Sequence, residues 1–207
     1  MDGDPRSRIY RCDGTRFQEA QTLPSRWAYD LEYFEIDGKS YLGLADHLDG
    51  WTPYEWKDGA FQSIQTVSEP GARDLTHFHI DGTDYLAYAN LVGTSRIYRF
   101  ADGRFVEHQA LEGPGGRAFH FLPADPYPYL VRIDFITGDR TKPQAALQST
   151  PFRWNGMAFE PVQSFSTFCG TDASSFEPGG ERYLVVSNSL APDLRFRVDS
   201  VVYRPAR

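Results

Sequence analysis

The sequence predicts an all-β fold made of four repeats of a sheet-forming unit of about forty-four residues. The first observation behind this prediction is a recurring Tyr-Leu pair, whose tyrosines step by 44, 44 and 54 residues at Tyr41, Tyr85, Tyr129 and Tyr183. The second is a phenylalanine that keeps the same steps at Phe17, Phe61, Phe105 and Phe159. A glutamine follows each phenylalanine four residues later, at Gln21, Gln65, Gln109 and Gln163. Independent features with one period indicate an internal repeat.

The second repeat serves as the template for the elements. Alternating apolar and polar residues predict four strands, at 74–80, 84–90, 96–100 and 105–111. The Asp-Gly pairs at 81–82 and 102–103 predict tight hairpin turns. Four antiparallel strands make one blade, and a ring of blades leaves only short, protected edges. The sequence therefore predicts a small β-propeller of about four four-stranded antiparallel blades.

The repeat register also predicts the domain organisation. We expect one domain over 8–204, with repeats at 27–70, 71–114, 115–168 and 169–204, the last completed by 8–23. Pairing of the N- and C-terminal segments would close the ring. One third-strand segment is left over, either 9–11 or 201–204, and it caps an outer edge or joins two chains. The ten extra residues of the third repeat are expected to form a surface loop around 137–143.

Composition excludes several classes of partner. The formal net charge is −7, and no Lys or Arg cluster interrupts the sequence, which argues against nucleic acid. The polar residues 1–8 lack the apolar stretch of a signal peptide, and no run reaches eighteen apolar residues, so a soluble, cytoplasmic chain with no membrane contact is expected. Cys12 and Cys169 are too few for a disulfide framework, which agrees with a reducing compartment.

The repeat pattern resembles a known family. In the second repeat it reads Asp74, Phe78, Gly82, Tyr85-Leu86, Asn90, Tyr98, Asp102-Gly103, Phe105 and Gln109. This pattern is similar to the EAR or EPTP repeat of epitempin-type proteins, and the similarity covers residues 8–204. The resemblance implies a propeller used for extracellular protein recognition, with seven blades and a cation in its channel. The sequence departs from it by having about four repeats and no visible export signal.

One column of carboxylates predicts a metal site. Asp30, Asp74 and Asp172 begin the first strands of three repeats, with Ala118 in the remaining one. First strands line the axis of a propeller, and Ca²⁺ prefers six to eight oxygen ligands. These residues therefore predict either no cofactor or a calcium ion in the central channel. The alternative, which we favour, is that each aspartate caps a turn by accepting backbone N–H bonds.

Function is expected where the repeat breaks, because a changed scaffold position needs a local reason. Three such residues, Arg117, His120 and Arg132, are candidate catalytic groups for acid–base chemistry, together with Asp134, which lies two residues after Arg132. Arg132 and Asp134 are two residues apart on a strand, so they could also simply pair. Four neighbours at the propeller mouth are candidate ligand-binding residues, namely Tyr29, Glu32, Arg73 and His77. A hydrogen-bonded core role is the favoured alternative for the histidines.

Two classes of function remain open on the residues alone. The first is a non-catalytic recognition module that binds a protein or small ligand through the mouth and loops, with homodimerisation possible. The second is a small enzyme, such as a cyclase, isomerase or lyase. Convergence of Arg117, His120 and Arg132 in one pocket would favour the enzyme. The remaining columns are expected to be scaffold: glutamines bound to backbone, and aromatics packed between blades, with Trp27, Trp51 and Tyr54 as alternative anchors for a partner.

Overall fold

A computed structural model describes residues 6–204. The first five residues of the polar N-terminal stretch, and 205–207, lie outside this range. The chain divides into two compact units, the first reaching Ala72 and the second beginning at Arg73. This boundary lies close to the junction between the first two predicted repeats. A single domain over 8–204, closed by its terminal segments, stays a prediction.

The first unit contains a hairpin and one four-stranded blade. The hairpin pairs β1 (Arg6–Cys12) with β2 (Phe17–Pro24). Blade 1 has the order β3 (Ala28–Ile36), β4 (Lys39–Asp46), β5 (Gly50–Lys57) and β6 (Ala60–Ser63). Leu23 and Ile9 of the hairpin pack against Leu42, Leu44 and Tyr54 of the blade, so the hairpin covers the outer part of one blade face.

The second unit begins with blade 2, which follows the predicted template closely. Its order is β7 (Ala72–Ile80), β8 (Thr83–Asn90), β9 (Ser95–Ala101) and β10 (Arg104–Leu111). Asp81-Gly82 and Asp102-Gly103 adopt positive φ at both positions, as tight hairpin turns require. The predicted strands and turns of this repeat are therefore confirmed.

Blade 3 carries the ten-residue insertion. Its strands are β11 (Gly116–Leu122), β12 (Tyr129–Asp134), β15 (Ala146–Trp154), β16 (Phe159–Pro161) and β17 (Phe165–Phe168). The insertion, predicted as a surface loop, forms a largely exposed hairpin of β13 (Thr137–Asp139) and β14 (Lys142–Gln144). Asp139 makes this turn possible, because its Oδ1 accepts the N–H groups of Thr141 and Lys142 at 2.7 and 3.0 Å.

Blade 4 has three strands in the order β18 (Gly170–Phe176), β19 (Tyr183–Asn188) and β20 (Val201–Tyr203). The two candidates for a left-over third strand are thus both used, one as β1 and the other as β20. Along 6–204 the only helical element is a 3₁₀ turn at Pro178–Gly180. The chain is an all-β protein of four antiparallel blades, the fold class of a β-propeller.

The glutamine column joins outer strands, as expected of a scaffold position. Gln21 donates from Nε2 to the Phe61 carbonyl at 2.7 Å and accepts the Phe61 N–H at 2.8 Å. Gln109 does the same with Phe159, at 2.7 and 2.9 Å. In each case the glutamine of one repeat satisfies the backbone of the phenylalanine of the next. This repeated bond explains why both residue types keep the same period.

Candidate functional site

The first strands of blades 2 and 3 contact each other through one face each. Toward blade 3, Asp74 Oδ2 accepts the Phe119 N–H at 2.9 Å, and Thr76 Oγ1 donates to the Phe119 carbonyl at 3.1 Å. Phe78 stacks on Phe121, with ring centroids 4.7 Å apart. We call the side bearing Asp74 and Phe78 the following face, and the side bearing Phe119 and Phe121 the preceding face.

The aspartates predicted to hold calcium are used in local bonding. The Asp74 carboxylate also accepts from Thr76 at 3.0 Å, and Asp172 Oδ1 accepts the Ala173 N–H at 2.8 Å. Asp30 lies half-buried on β3. Within residues 6–204, no group of three or more His, Cys, Asp or Glu side chains is arranged to hold a metal ion. A channel calcium ion therefore stays a prediction.

Arg132 and Asp134 form a buried ion pair. The Arg132 Nε and one terminal nitrogen each lie 2.9 Å from Asp134 Oδ1. The guanidinium also donates to four consecutive carbonyls, those of residues 111–114, at 2.9–3.2 Å. Burial raises the pKa of Asp134, although Arg132 opposes this shift. The predicted pairing is confirmed, and it holds the loop between blades 2 and 3 onto β12.

His120 and Arg117 do not join this pair. Phe119 lies opposite Arg132 in the β11–β12 register, so the adjacent His120 points to the other face of the sheet. There its Nε2 lies 2.9 Å from Ser175 Oγ, and burial lowers its pKa. Arg117 lies at a β-bulge and donates to the Arg73 carbonyl at 3.4 Å. The structure thus places the four candidate catalytic residues at three separate contacts: the Arg132–Asp134 pair, His120 with Ser175, and Arg117 with the Arg73 carbonyl.

His77 also has a structural contact. Its Nε2 lies 2.9 Å from Asp84 Oδ1, across the hairpin turn, and His79 Nδ1 lies 3.3 Å from the same oxygen. Burial lowers the pKa of His77, while the Asp84 carboxylate opposes that shift. Arg73 is buried at the start of the same strand. A role of either residue in ligand binding stays a prediction.

A shallow groove of about 530 Å³ lies beside His79 in the second unit. Its walls include Phe121, Asp125 and Arg182, with three prolines between 123 and 128. None of the candidate catalytic residues lines it. The groove therefore gives no support to acid–base chemistry by those residues.

Asp46 and Asn90, the last residues of β4 and β8, each cap the turn that follows their strand. Asp46 Oδ1 accepts the N–H groups of Leu48 and Asp49, and its Oδ2 accepts those of Arg26 and Trp27, at 2.6–3.1 Å. Burial acts to raise the pKa of Asp46, but these four donors outweigh it and hold the pKa below its ordinary value. Asn90 accepts equivalent N–H groups from Val92 and Gly93.

Replacing Asp46 by alanine is expected to lower the free energy of unfolding by about 2 kcal/mol, because four partly buried N–H groups lose their acceptor. Asp46→Asn is the matched comparison, since its remaining oxygen can accept from Leu48 and Asp49 as Asn90 accepts from Val92 and Gly93, while its NH2 group can accept nothing from Arg26 and Trp27. It should therefore cost less than Asp46→Ala but still lower the stability. The carboxylate has a lowered pKa in the folded state, so its contribution is present above the unfolded pKa of about 3.9 and is lost as the pH falls through the folded value. Urea unfolding at pH 7 and pH 3 measures both effects, and equal costs for the two variants at pH 7 would contradict the capping role.

An exposed aromatic surface lies on the first strand of blade 1. Tyr29, Leu31 and Tyr33 alternate along β3, with Tyr29 at the bulge, and all three are exposed. Trp27 is exposed beside them and packs edge-on against His47, with ring centroids 4.8 Å apart. We call Trp27, Tyr29, Leu31 and Tyr33 the aromatic stripe. Alternation in the first strand was the signal in the sequence, but Leu31 and Tyr33 were missed because their exposure depends on whether another sheet covers this face.

The other aromatic anchors considered are core residues. Trp51 and Tyr54 are buried in blade 1, which confirms blade packing as their role. Glu32 is half-buried on the face of β3 opposite to Leu31 and Tyr33. Cys169 is fully buried, and burial raises the pKa of its thiol, as expected of an inert structural cysteine.

Blades with repeated inter-blade bonds and a capped turn after the second strand define a repeat β-propeller. The EPTP domain matches residues 16–56, 60–100 and 158–204, which together make up more than half of the chain. The chain therefore belongs to the EPTP domain family. The matches omit 101–157, where the Arg132–Asp134 pair and the inserted hairpin lie.

Relatives in sequence include the Leucine-rich repeat LGI family member 3 proteins of Macaca fascicularis and Mus musculus. Each is 42% identical over 53 residues, which is 26% of this chain and 10% of the relative, so the match spans a small part of the relatives' length. In fold, the chain resembles the N-terminal domain of Nup159, with a TM-score of 0.51 at 7% identity, over 99% of this chain and 59% of that one. The Bacteroides ovatus protein Xyloglucan PUL GH43B aligns with a TM-score of 0.49 at 16% identity, over 79% and 37%.

Between residues 6 and 204 there is no helix with the length and hydropathy of a membrane span.

Proposed function

We propose that this chain is a non-catalytic recognition module that binds a protein partner through the aromatic stripe. The observation that carries the proposal is the exposure of three large side chains in a row on one strand, Tyr29, Leu31 and Tyr33. Tyr and Trp are enriched in the cores of protein interfaces, because they bury a large area at low entropic cost and keep a polar group for bonding.

The repeat supports this assignment. Leu31 is 45% exposed, whereas its counterparts Leu75, Phe119 and Ala173 are 2%, 4% and 9% exposed. This repeat position is apolar in every blade but exposed only in blade 1. An exposed apolar surface of this kind is typical of a protein interface. Membership of the EPTP family agrees with a repeat propeller that presents surfaces to other proteins.

The enzyme alternative has weaker support. Acid–base chemistry needs groups within hydrogen-bond reach of one reacting atom. Arg132 is held by Asp134 and four carbonyls, and His120 points to the other face of the same sheet. The proposal therefore assigns these side chains to blade structure. A particular partner, a bound calcium ion and a cytoplasmic location are separate proposals, and each needs its own test.

The test uses the purified chain as bait for cross-linking, followed by reconstitution with each purified candidate partner. Leu31→Asp is expected to weaken the measured dissociation constant at least tenfold, because a charge would be buried at the centre of the contact. Val106→Asp is the matched control, since Val106 is 44% exposed on β10, away from the stripe, and should change nothing. Equal affinity of the wild type and Leu31→Asp for every reconstituted partner would refute this site.

A further inference from the structure

The aromatic stripe lies on the preceding face of blade 1, which is a blade-docking face in other repeats. Leu31 and Tyr33 occupy the repeat positions of Phe119 and Phe121. In blade 3 these two side chains are covered by blade 2, through the Asp74 and Thr76 bonds and the Phe78 stack. The surface that fits the stripe is therefore the following face of another blade.

A following face with the required residues is exposed at the far end of the chain. Asp172, Ser174 and Phe176 of blade 4 occupy the repeat positions of Asp74, Thr76 and Phe78. Phe176 is 45% exposed and stacks on Tyr183, with ring centroids 5.4 Å apart.

We propose that the partner of the aromatic stripe is a second copy of this chain, which docks the following face of its blade 4 onto the preceding face of blade 1. The inference rests on the proposed function and names the partner for that surface. Because the two patches differ, a two-fold pair of chains makes this contact twice, and both patches of each chain are then covered.

The repeat register sets the contacts at this interface. By the pattern of blades 2 and 3, the Asp172 carboxylate of one copy accepts the Leu31 N–H of the other, and the Ser174 hydroxyl donates to the Leu31 carbonyl. Phe176 stacks on Tyr33 as Phe78 stacks on Phe121. A single interface thus combines a buried aromatic pair with a carboxylate–amide bond, the arrangement that already holds two blades of this chain together.

Docking of the second copy brings two third strands, β1 and β20, to the same position, so one of them must be displaced. β1 and β20 both follow the third-strand pattern, with Tyr10 and Tyr203 in corresponding positions, and β1 belongs to the hairpin that covers blade 1. β1 has seven residues paired with β2, whereas β20 has three residues paired with β19. The shorter pairing is the weaker one, so β20 leaves and β1 of the other copy takes its place beside β19.

The experiment measures the mass of the purified 207-residue chain by sedimentation velocity between about 1 and 100 μM. The expected species has twice the 23.5 kDa mass of one chain. Leu31→Asp and Phe176→Asp are each expected to raise the dimer dissociation constant at least tenfold, while Val106→Asp leaves it unchanged. A monomer throughout the range, or a dimer as stable in both variants as in the wild type, overturns the proposal.

Mixing the two variants tests the head-to-tail geometry. Phe176→Asp keeps an intact stripe, and Leu31→Asp keeps an intact blade 4 face. We therefore expect the mixture to form a mixed dimer through one intact interface, which neither variant can form alone. If the mixture stays monomeric, the two patches do not meet and the proposal fails. Circular dichroism of each variant at 25 °C verifies that its sheets are formed.

The same variants separate this inference from the proposed function. A chain that is monomeric, but whose stripe variant loses affinity for a different purified protein, would refute self-association and keep the recognition role. A dimer that Leu31→Asp dissociates, with no other partner affected, would support self-association as the use of this surface.

Discussion

Replacing Arg132 by methionine is expected to lower the free energy of unfolding by about 3–5 kcal/mol, because the change leaves the buried Asp134 carboxylate without its cation. Four carbonyls of the 111–114 segment lose their donors at the same time. Urea unfolding followed by circular dichroism measures the loss. A cost below about 1 kcal/mol would show that the pair and its loop contacts contribute little.

A double variant gives a sharper reading of the same site. In blade 2 the corresponding residues are Tyr88 and Asn90, and the Asn90 amide donates to the Tyr88 hydroxyl at 3.0 Å. Arg132→Tyr combined with Asp134→Asn copies that neutral pair, so we expect it to cost less than Arg132→Met alone. A double variant that is less stable than Arg132→Met would mean that the guanidinium–carbonyl bonds outweigh the ion pair.

The pH dependence of Arg132→Met follows from the same burial. Burial already raises the pKa of Asp134 in the wild type, and Arg132 opposes that shift. Without the arginine, the pKa rises further in the folded state. The stability linked to a protonated Asp134 is present below the unfolded pKa of about 3.9 and is lost as the pH rises through the folded pKa. The difference in unfolding free energy between wild type and variant should therefore be larger at pH 8 than at pH 4.

Replacing Gly50 by alanine is expected to lower the free energy of unfolding by about 4 kcal/mol, because the change combines backbone strain with a steric clash. Gly50 has a φ of +96°, and a Cβ there would lie 2.0 Å from the Val67 carbonyl oxygen and 2.6 Å from the Glu69 nitrogen. These atoms belong to the backbone and cannot rotate away. The Trp51–Val67 bridge, with N···O distances of 3.0 and 2.9 Å, would have to open.

Gly59→Ala is the control for this prediction. Gly59 also has a positive φ, +83°, but nothing lies within 4 Å of a Cβ added there. Gly59→Ala should lower the free energy of unfolding only by the strain of a left-handed backbone conformation, roughly 1 kcal/mol. Urea unfolding followed by the intrinsic fluorescence of the four tryptophans compares the two variants. Equal costs would show that the segment at 67–69 moves freely, in contradiction to the steric argument.

The fold could be read from the sequence in unusual detail because its signals are local or periodic. The Asp-Gly turns fix hairpins through the backbone of two residues, so β7 to β10 begin and end within about two residues of their predicted bounds. The Gln21–Phe61 and Gln109–Phe159 bonds explain the period itself. The inserted hairpin was not predicted, since three-residue strands leave too short a pattern.

The site could not be read in the same way. His120 and Arg132 break the repeat together, yet the pairing of β11 with β12 puts them on opposite faces. His77 meets Asp84, and Arg132 meets carbonyls twenty residues away, through packing that no local pattern encodes.

The sequence by itself determined the repeat, the strands and turns, and the columns of scaffold residues in this chain, because each depends on nearby residues or on a fixed period. Only the tertiary structure decided which faces are covered. Leu31 and Leu75 are the same residue at the same repeat position, but one is 45% exposed and the other 2%. Burial depends on which sheet lies against a strand, and that neighbour is set by the packing of whole blades.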